Sequence, residues 1–207
     1  MKSSFCIVMF FISIQLHSQK TIEKEVDAQD ISCILIEGNE MFKIKLNTSN
    51  TKKIILKTKI EGEYSEDRVV LANIVNDSMI ISSAFQPLFV YHDDKLSAHK
   101  VISIEMELLV PENRKVYMAS NTASAEIDWS YDYLTVELSQ GNCNLNIYDS
   151  NAIVNTIDGK IELNTNFANV EAFSKTGTVV MEQLTLGSNQ ISLNSVNGDI
   201  SIIKTKK

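Results

Sequence analysis

Proline is all but missing from this chain. Pro87 and Pro111 are the only two in 207 residues, and none falls between Val116 and Ile202. Proline cannot donate to a sheet ladder, so a long proline-free stretch suits paired interior strands. Arginine is as scarce, with Arg68 and Arg114 the whole supply, and acidic residues outnumber basic ones 26 to 19 for a formal charge of −7. That balance repels phosphate backbones and disfavours nucleic-acid binding. It also disfavours membrane adsorption through a basic patch, apart from the small Lys204, Lys206, Lys207 tail. No glycine-rich phosphate loop, nucleophile elbow or zinc-helix motif is present, and the sequence assigns no catalytic, cofactor-binding or metal-ligating residue.

Long apolar runs are absent but for one. Lys2 supplies a positive start, Phe5 to Leu16 is apolar save for Ser13 and Gln15, and Ser18 offers a small residue before Gln19. This is the pattern of a secretory signal peptide over residues 1–18, too short for the ~20 residues of a spanning helix. Cys6 lies inside the run and not behind a small-residue lipobox. The mature chain is therefore expected outside the cytoplasm (periplasm, outer-membrane surface or secreted) with no transmembrane span. It keeps Cys33 and Cys143, which could pair in an oxidising compartment; a buried free thiol at Cys143 is the favoured alternative.

What the chain does have is a repeat. Ser120 leads to Ala123, Thr156 to Gly159, Ser174 to Gly177 and Ser195 to Gly198, with Gly141 between the first two. The small residues fall at eighteen-residue intervals up to Gly177 and then at twenty-one. Apolar columns follow the same step: Val116, Leu134, Ala152, Val170, Ile191; then Met118, Val136, Val154, Ala172, Leu193; Ala125, Cys143, Ile161, Val179, Ile200; and Ile127, Leu145, Leu163, Met181, Ile202. The position just before the third column is polar every time: Ser124, Asn142, Lys160, Thr178, Asp199. Self-similarity at a fixed period is the mark of a repeat architecture. The expected fold is all-β, a parallel β-helix (solenoid) of ~18-residue coils, with an antiparallel meander as the structural alternative. Ser/Thr-x-x-Gly should turn each corner through a side-chain oxygen and a glycine free to take positive φ. The lysine-rich end should block one open edge and the preceding strands cover the other.

Upstream, residues 19–115 show period-2 strand patterning with no repeat: Asp30 to Glu37, Phe42 to Leu46, Ile54 to Ile60, Val69 to Val75, Met79 to Ser83 and Val101 to Val110. A loop over 84–100 interrupts them, aromatic-rich from Phe85 to Tyr91. Residues 19–207 read as a single domain, with regular coils over 116–205.

Chemistry-bearing groups are few. His92, Asp93, Asp94 and His99 could bind a divalent metal or act as acid and base, or form a plain charged loop tip. Glu126, Asp128 and Glu162 share an outward face and could serve a polysaccharide lyase or glycosidase, though no arginine joins them. Asn144, Asn146, Asn155 and Asn164 could hydrogen-bond sugars or be ordinary surface. Trp129 and Tyr148 could be a binding platform or packing residues.

The run from Asp94 to Asn113, followed by Asn155 to Thr165 (NTIDGKIELNT) and Asn194 to Ile203 (NSVNGDISII), resembles the auto-transporter adhesin, head-GIN-type β-helix domains of Gram-negative bacteria. The sequence departs from their turns at Ala123, in place of glycine, and at Leu138, in place of Ser or Thr. The resemblance implies a parallel β-helix at the cell envelope, non-enzymatic, acting as an adhesin or surface-interaction module with no catalytic residues to transfer. A surface glycan or an envelope protein is the partner class it leaves, and a polysaccharide-processing enzyme the alternative function.

Overall fold

The structure is a computed structural model that describes residues 19–62, 65–89 and 102–206. Alternating apolar residues fold almost the whole chain into strands. The amino-terminal half gives β1 (Gln19–Asp27), β2 (Cys33–Glu37), β3 (Lys43–Ser49), β4 (Lys53–Gly62), β5 (Arg68–Val75), β6 (Ser78–Phe85) and β7 (Ile102–Pro111). The repeats give β8 (Lys115–Ser120), β9 (Ser124–Trp129), β10 (Tyr133–Leu138), β11 (Cys143–Ile147), β12 (Asn151–Thr156), β13 (Ile161–Thr165), β14 (Ala168–Ser174), β15 (Val179–Met181), β16 (Asn189–Ser195) and β17 (Ile200–Lys204).

They assemble into two sheets. One has the order β1-β4-β7-β3-β9-β11-β13-β17-β15, the other β14-β16-β12-β10-β8-β2-β6-β5. Each sheet turns its apolar residues inward, and the two inner faces contribute to one hydrophobic core. The predicted columns line that core: Val116, Leu134 and Ala152 are neighbours in one sheet, Ile127, Leu145 and Leu163 in the other, all buried.

The expected parallel β-helix is nevertheless not the fold, for two reasons. The sheets are mixed, since β1–β4–β7 and β5–β6 pair antiparallel. The winding also fails to advance one step per lap. β16 lies between β12 and β14, and β17 between β13 and β15. Leu163 therefore neighbours Ile202, and Met181 stands beyond it on the outside. The fold is two mixed, mostly parallel facing sheets, not a solenoid.

Hydrophobicity accounts for the exchange. The inner place goes to Ile191, Leu193, Ile200 and Ile202, all buried, and the outer one to Val170, Ala172, Val179 and Met181. Larger apolar side chains gain more by leaving water, about 25 cal/mol for each Å² buried. The three extra residues of the last interval lie in the connection that steps back past one layer. The antiparallel meander also fails, because the repeat strands pair parallel throughout.

The corners explain the recurrent Ser/Thr-x-x-Gly. The Ser120 oxygen accepts the Ala123 N–H at 2.9 Å, Ser174 that of Gly177 at 3.0 Å and Ser195 that of Gly198 at 2.8 Å. Thr156 instead donates to Gly159 O at 2.8 Å. The glycines do not serve positive φ, which among glycines is confined to Gly62. They serve close approach: a Cβ on Gly141 would overlap Ala123 O, one on Gly159 Gly141 O, and one on Gly198 Gly159 O. Ala123, which stands in place of glycine at the first corner, is buried, and beside it Ser124 N donates to Phe42 O at 3.0 Å.

The upstream strands hide an extra layer. β2 and β3 pair parallel with β8 and β9, placing Ile34 beside Val116 and Leu46 beside Ile127. Gly38 and Ser120, 82 residues apart, meet through a 2.8 Å hydrogen bond. Arg68 reaches this junction, where its buried guanidinium pairs with Glu40 and lies 3.5 Å over the Phe85 ring.

Candidate functional site

The corners opposite the Ser/Thr-x-x-Gly turns, where the chain leaves one sheet for the other, hold three of the six non-glycine residues with left-handed backbone among the described residues, the others being Glu40, Asn76 and Asn113. Trp129 (φ 82°), Asp149 (φ 50°) and Phe167 (φ 56°) all take the left-handed conformation, and none is glycine. Holding a bulky residue such as Trp129 or Phe167 there costs roughly 1–2 kcal/mol, whereas aspartate is among the residue types that adopt it readily. Each of the two aromatic side chains is thrown outward: Trp129 is 52% and Phe167 53% exposed. Strain kept together with exposed apolar surface points to a function outside the fold's own stability.

The inner side of the corner is fixed. Tyr131 is buried, its hydroxyl 2.8 Å from Asp128 O and 3.1 Å from Leu46 O. Burial pushes this phenol well above its ordinary range, so it is a structural hydrogen-bond donor and not a titrating group. Ser150 accepts the Tyr131 N–H at 2.8 Å. Asn166, also buried, accepts the Thr185 N–H at 3.0 Å and donates to Thr205 O at 3.2 Å. It ties the outgoing segment to the returning one where they cross. Gly187 sits at that crossing, and a Cβ there would overlap Phe167 O.

Outside this frame lies a cleft of about 520 Å³, lined by Trp129, Tyr148, Asp149, Asn166, Phe167 and residues 186–189. The Trp129 and Tyr148 rings stand 6.5 Å apart, tilted by 52°. Asn189 donates to Asp149 Oδ1 at 3.3 Å along the rim. Among the described residues neither lysine nor arginine lines the cleft, so none of them compensates an anionic ligand there. Aromatic faces beside amide, hydroxyl and carboxylate oxygens can stack on one surface of a neutral polyol ring and hydrogen-bond its edge.

Trp129 and Tyr148, singled out separately, come together. Glu126 is taken up by Lys43 at 2.6 Å, and Asp128 accepts a 2.6 Å hydrogen bond from Asn146. Asn146 in turn accepts one from Asn164 at 2.8 Å, so these three residues form a ladder across the outer face. Glu126 and Glu162 are separated by the strand carrying Asn144. Two strand spacings put their backbones ~9.6 Å apart. Asn155 pairs with Asn194 at 3.1 Å in a shallow groove of about 580 Å³ that ends on exposed Phe173. Cys143 is a buried free thiol with its pKa pushed up to about 12 by desolvation, and Cys33 is also free. No group of three metal-ligating side chains occurs among the described residues. His92, Asp93, Asp94 and His99 lie outside the described residues, as does the 1–18 segment read as a signal peptide.

Sequence reasoning missed Asp149, Phe167 and Asn189. Their side chains are ordinary in type, and only the crossing at Gly187 brings Asn189 to the same corner. The single cue was a pair of aromatics near the ends of successive repeats.

Two facing mixed sheets with an aromatic corner cleft define the class of this molecule. No protein-family profile and no curated protein sequence matches the chain. Its fold is shared with the crystal structure of a candidate cell adhesion protein from Clostridium sporogenes, at a TM-score of 0.60 and 18% identity over 91% of this chain and 100% of that one. A looser likeness joins it to a candidate adhesin from Bacteroides fragilis, at 0.40 and 11% over 90% and 98%. Another joins it to a candidate lipid binding protein from Parabacteroides distasonis, at 0.29 and 12% over 88% and 96%.

Proposed function

We propose that this chain is a non-enzymatic surface-interaction module of the adhesin type, exported from the cytoplasm, which binds neutral glycans at the Trp129–Tyr148–Phe167 cleft. The observation that carries the reading is the stacked left-handed corner. Trp129 and Phe167, both bulky, hold a costly left-handed conformation on either side of Asp149, and the corner they form opens as an aromatic cleft. The adhesin part of the proposal draws on the fold shared with the Clostridium sporogenes protein and on the resemblance to head-GIN-type domains. The extracytoplasmic address draws on the apolar run from Phe5 to Leu16. Glu126 and Asp128 are already engaged by Lys43 and Asn146, which suits a solvated outer face better than a cleaving pair.

An array of neutral and acidic glycans probed with the mature protein tests this. Binding is expected on neutral glycans at micromolar to millimolar affinity, with no shortening of the sugar chain. Binding confined to acidic glycans would contradict the reading, as would release of reducing ends.

A further inference from the structure

The end of the sheets formed by β14 and β15 is open. β14 pairs with β16 and β15 with β17, and no strand among the described residues pairs with their other sides. Val179 and Met181 belong to the inward columns, beside Ile200 and Ile202. Every member of those columns on β9, β11, β13 and β17 is buried, yet Val179 is 42% and Met181 54% exposed. Among the described residues, nothing buries this end of the core. The lysine-rich tail does not block this edge as the sequence suggested, because β17 is one strand in from it. The opposite end is different: one edge there is β1, an antiparallel strand rich in charge at Lys20, Glu23, Lys24 and Glu25.

The backbone at the open end is set for pairing. Glu182 N bonds Ile202 O, and Lys175 N bonds Ser195 O. In a parallel ladder alternate residues bond the same neighbour. The N–H and C=O groups of Val179 and Met181, and of Val170, Ala172 and Ser174, consequently point out of the open end.

We infer that a second copy of this chain covers this end, β14 against β14 and β15 against β15, both antiparallel about one two-fold axis. A cover must present two strand edges ~10 Å apart with apolar side chains between them, and the same end of another copy is such a surface. Charge decides the register. With Phe173 opposite Phe173 of the second copy, Glu171 faces Lys175 of the other chain, and the symmetry makes that contact twice. In this register Ala172 and Ser174 form the hydrogen-bonded pairs, in agreement with the direction of their backbone groups. Phe173, exposed in one chain, is covered by its counterpart. The assembly carries two clefts, and two linked sites raise avidity for a repetitive surface.

Sedimentation of the wild type and four variants across a concentration series tests the inference, using circular dichroism to confirm the fold of each. The wild type is expected to be a dimer. Glu171→Lys and Lys175→Glu each oppose like charges twice and should weaken association about tenfold or more. The double variant, with the charges exchanged, should recover it. Phe173→Cys should form a disulfide-linked dimer on mild oxidation. A wild type monomeric at millimolar concentration, a longer oligomer, or single variants that associate as tightly as the wild type would overturn the inference. So would a double variant no tighter than the singles.

Discussion

Gly159→Ala is expected to destabilise the protein by about 3 kcal/mol or more, the upper range for forcing atoms into a packed interior. At most sites this change is mildly favourable, because alanine has less freedom to lose from the unfolded chain, worth ~0.4–1 kcal/mol. Here the sign reverses. The new Cβ would overlap the carbonyl of Gly141, which is backbone held in the ladders on either side and cannot turn aside as a side chain would. Gly198 rests on Gly159 O in the same way, so separating one corner disturbs the next. Gly38→Ala is the control. Its added Cβ meets chiefly the Cδ1 end of Ile44, a side chain that can adjust, and the loss should be clearly smaller. Urea midpoints of the two variants, with the slope checked for constancy, give the comparison. A Gly159→Ala protein as stable as the wild type would mean that the corners are not in contact.

Ile161→Asp is expected to prevent folding. Ile161 is buried between Cys143 and Ile200 in the ladder of inward residues. Removing the side chain costs ~2–5 kcal/mol as a cavity, and the carboxylate adds several more because nothing nearby can pair it. The sum is comparable with the whole ~5–15 kcal/mol stability of an ordinary domain. Lys160→Asp, one residue away, should change stability by less than ~1 kcal/mol, since Lys160 is exposed and its backbone N–H, not its side chain, bonds Asn142. Soluble yield and far-ultraviolet circular dichroism of the pair decide. Equal behaviour would mean that the inward assignment is wrong.

The inward and outward faces of the repeat strands were legible because a period of two marks them and the eighteen-residue step stacks them. The order of the layers was not. Val170 and Ile191 occupy the same column, and either could follow Ala152 without altering the pattern; only the burial gained by Ile191, Leu193, Ile200 and Ile202 decides. The layer of β2 and β3 stayed hidden because four strands, β4 to β7, intervene before β8 resumes the ladder. The glycines were recognised as corner residues for the wrong reason, since sequence cannot distinguish a need for positive φ from a need for missing volume. Of the cleft, Trp129 and Tyr148 were visible as aromatics, but left-handed backbone at Trp129 and Phe167 has no signature in residue type.

The proposed glycan cleft requires Trp129 to be kept for binding in spite of its backbone strain. Melting and glycan titration of Trp129→Gly, on the same preparation, test that most directly. Relief of the left-handed strain, ~1–2 kcal/mol, should offset the lost contact with Tyr148, ~0.5–1.5 kcal/mol, leaving stability within about 1 kcal/mol of the wild type while glycan binding disappears. A fall of ~3–5 kcal/mol, the cost of emptying a core aromatic site, with glycan binding retained by the folded fraction, would make Trp129 a packing residue and contradict the account.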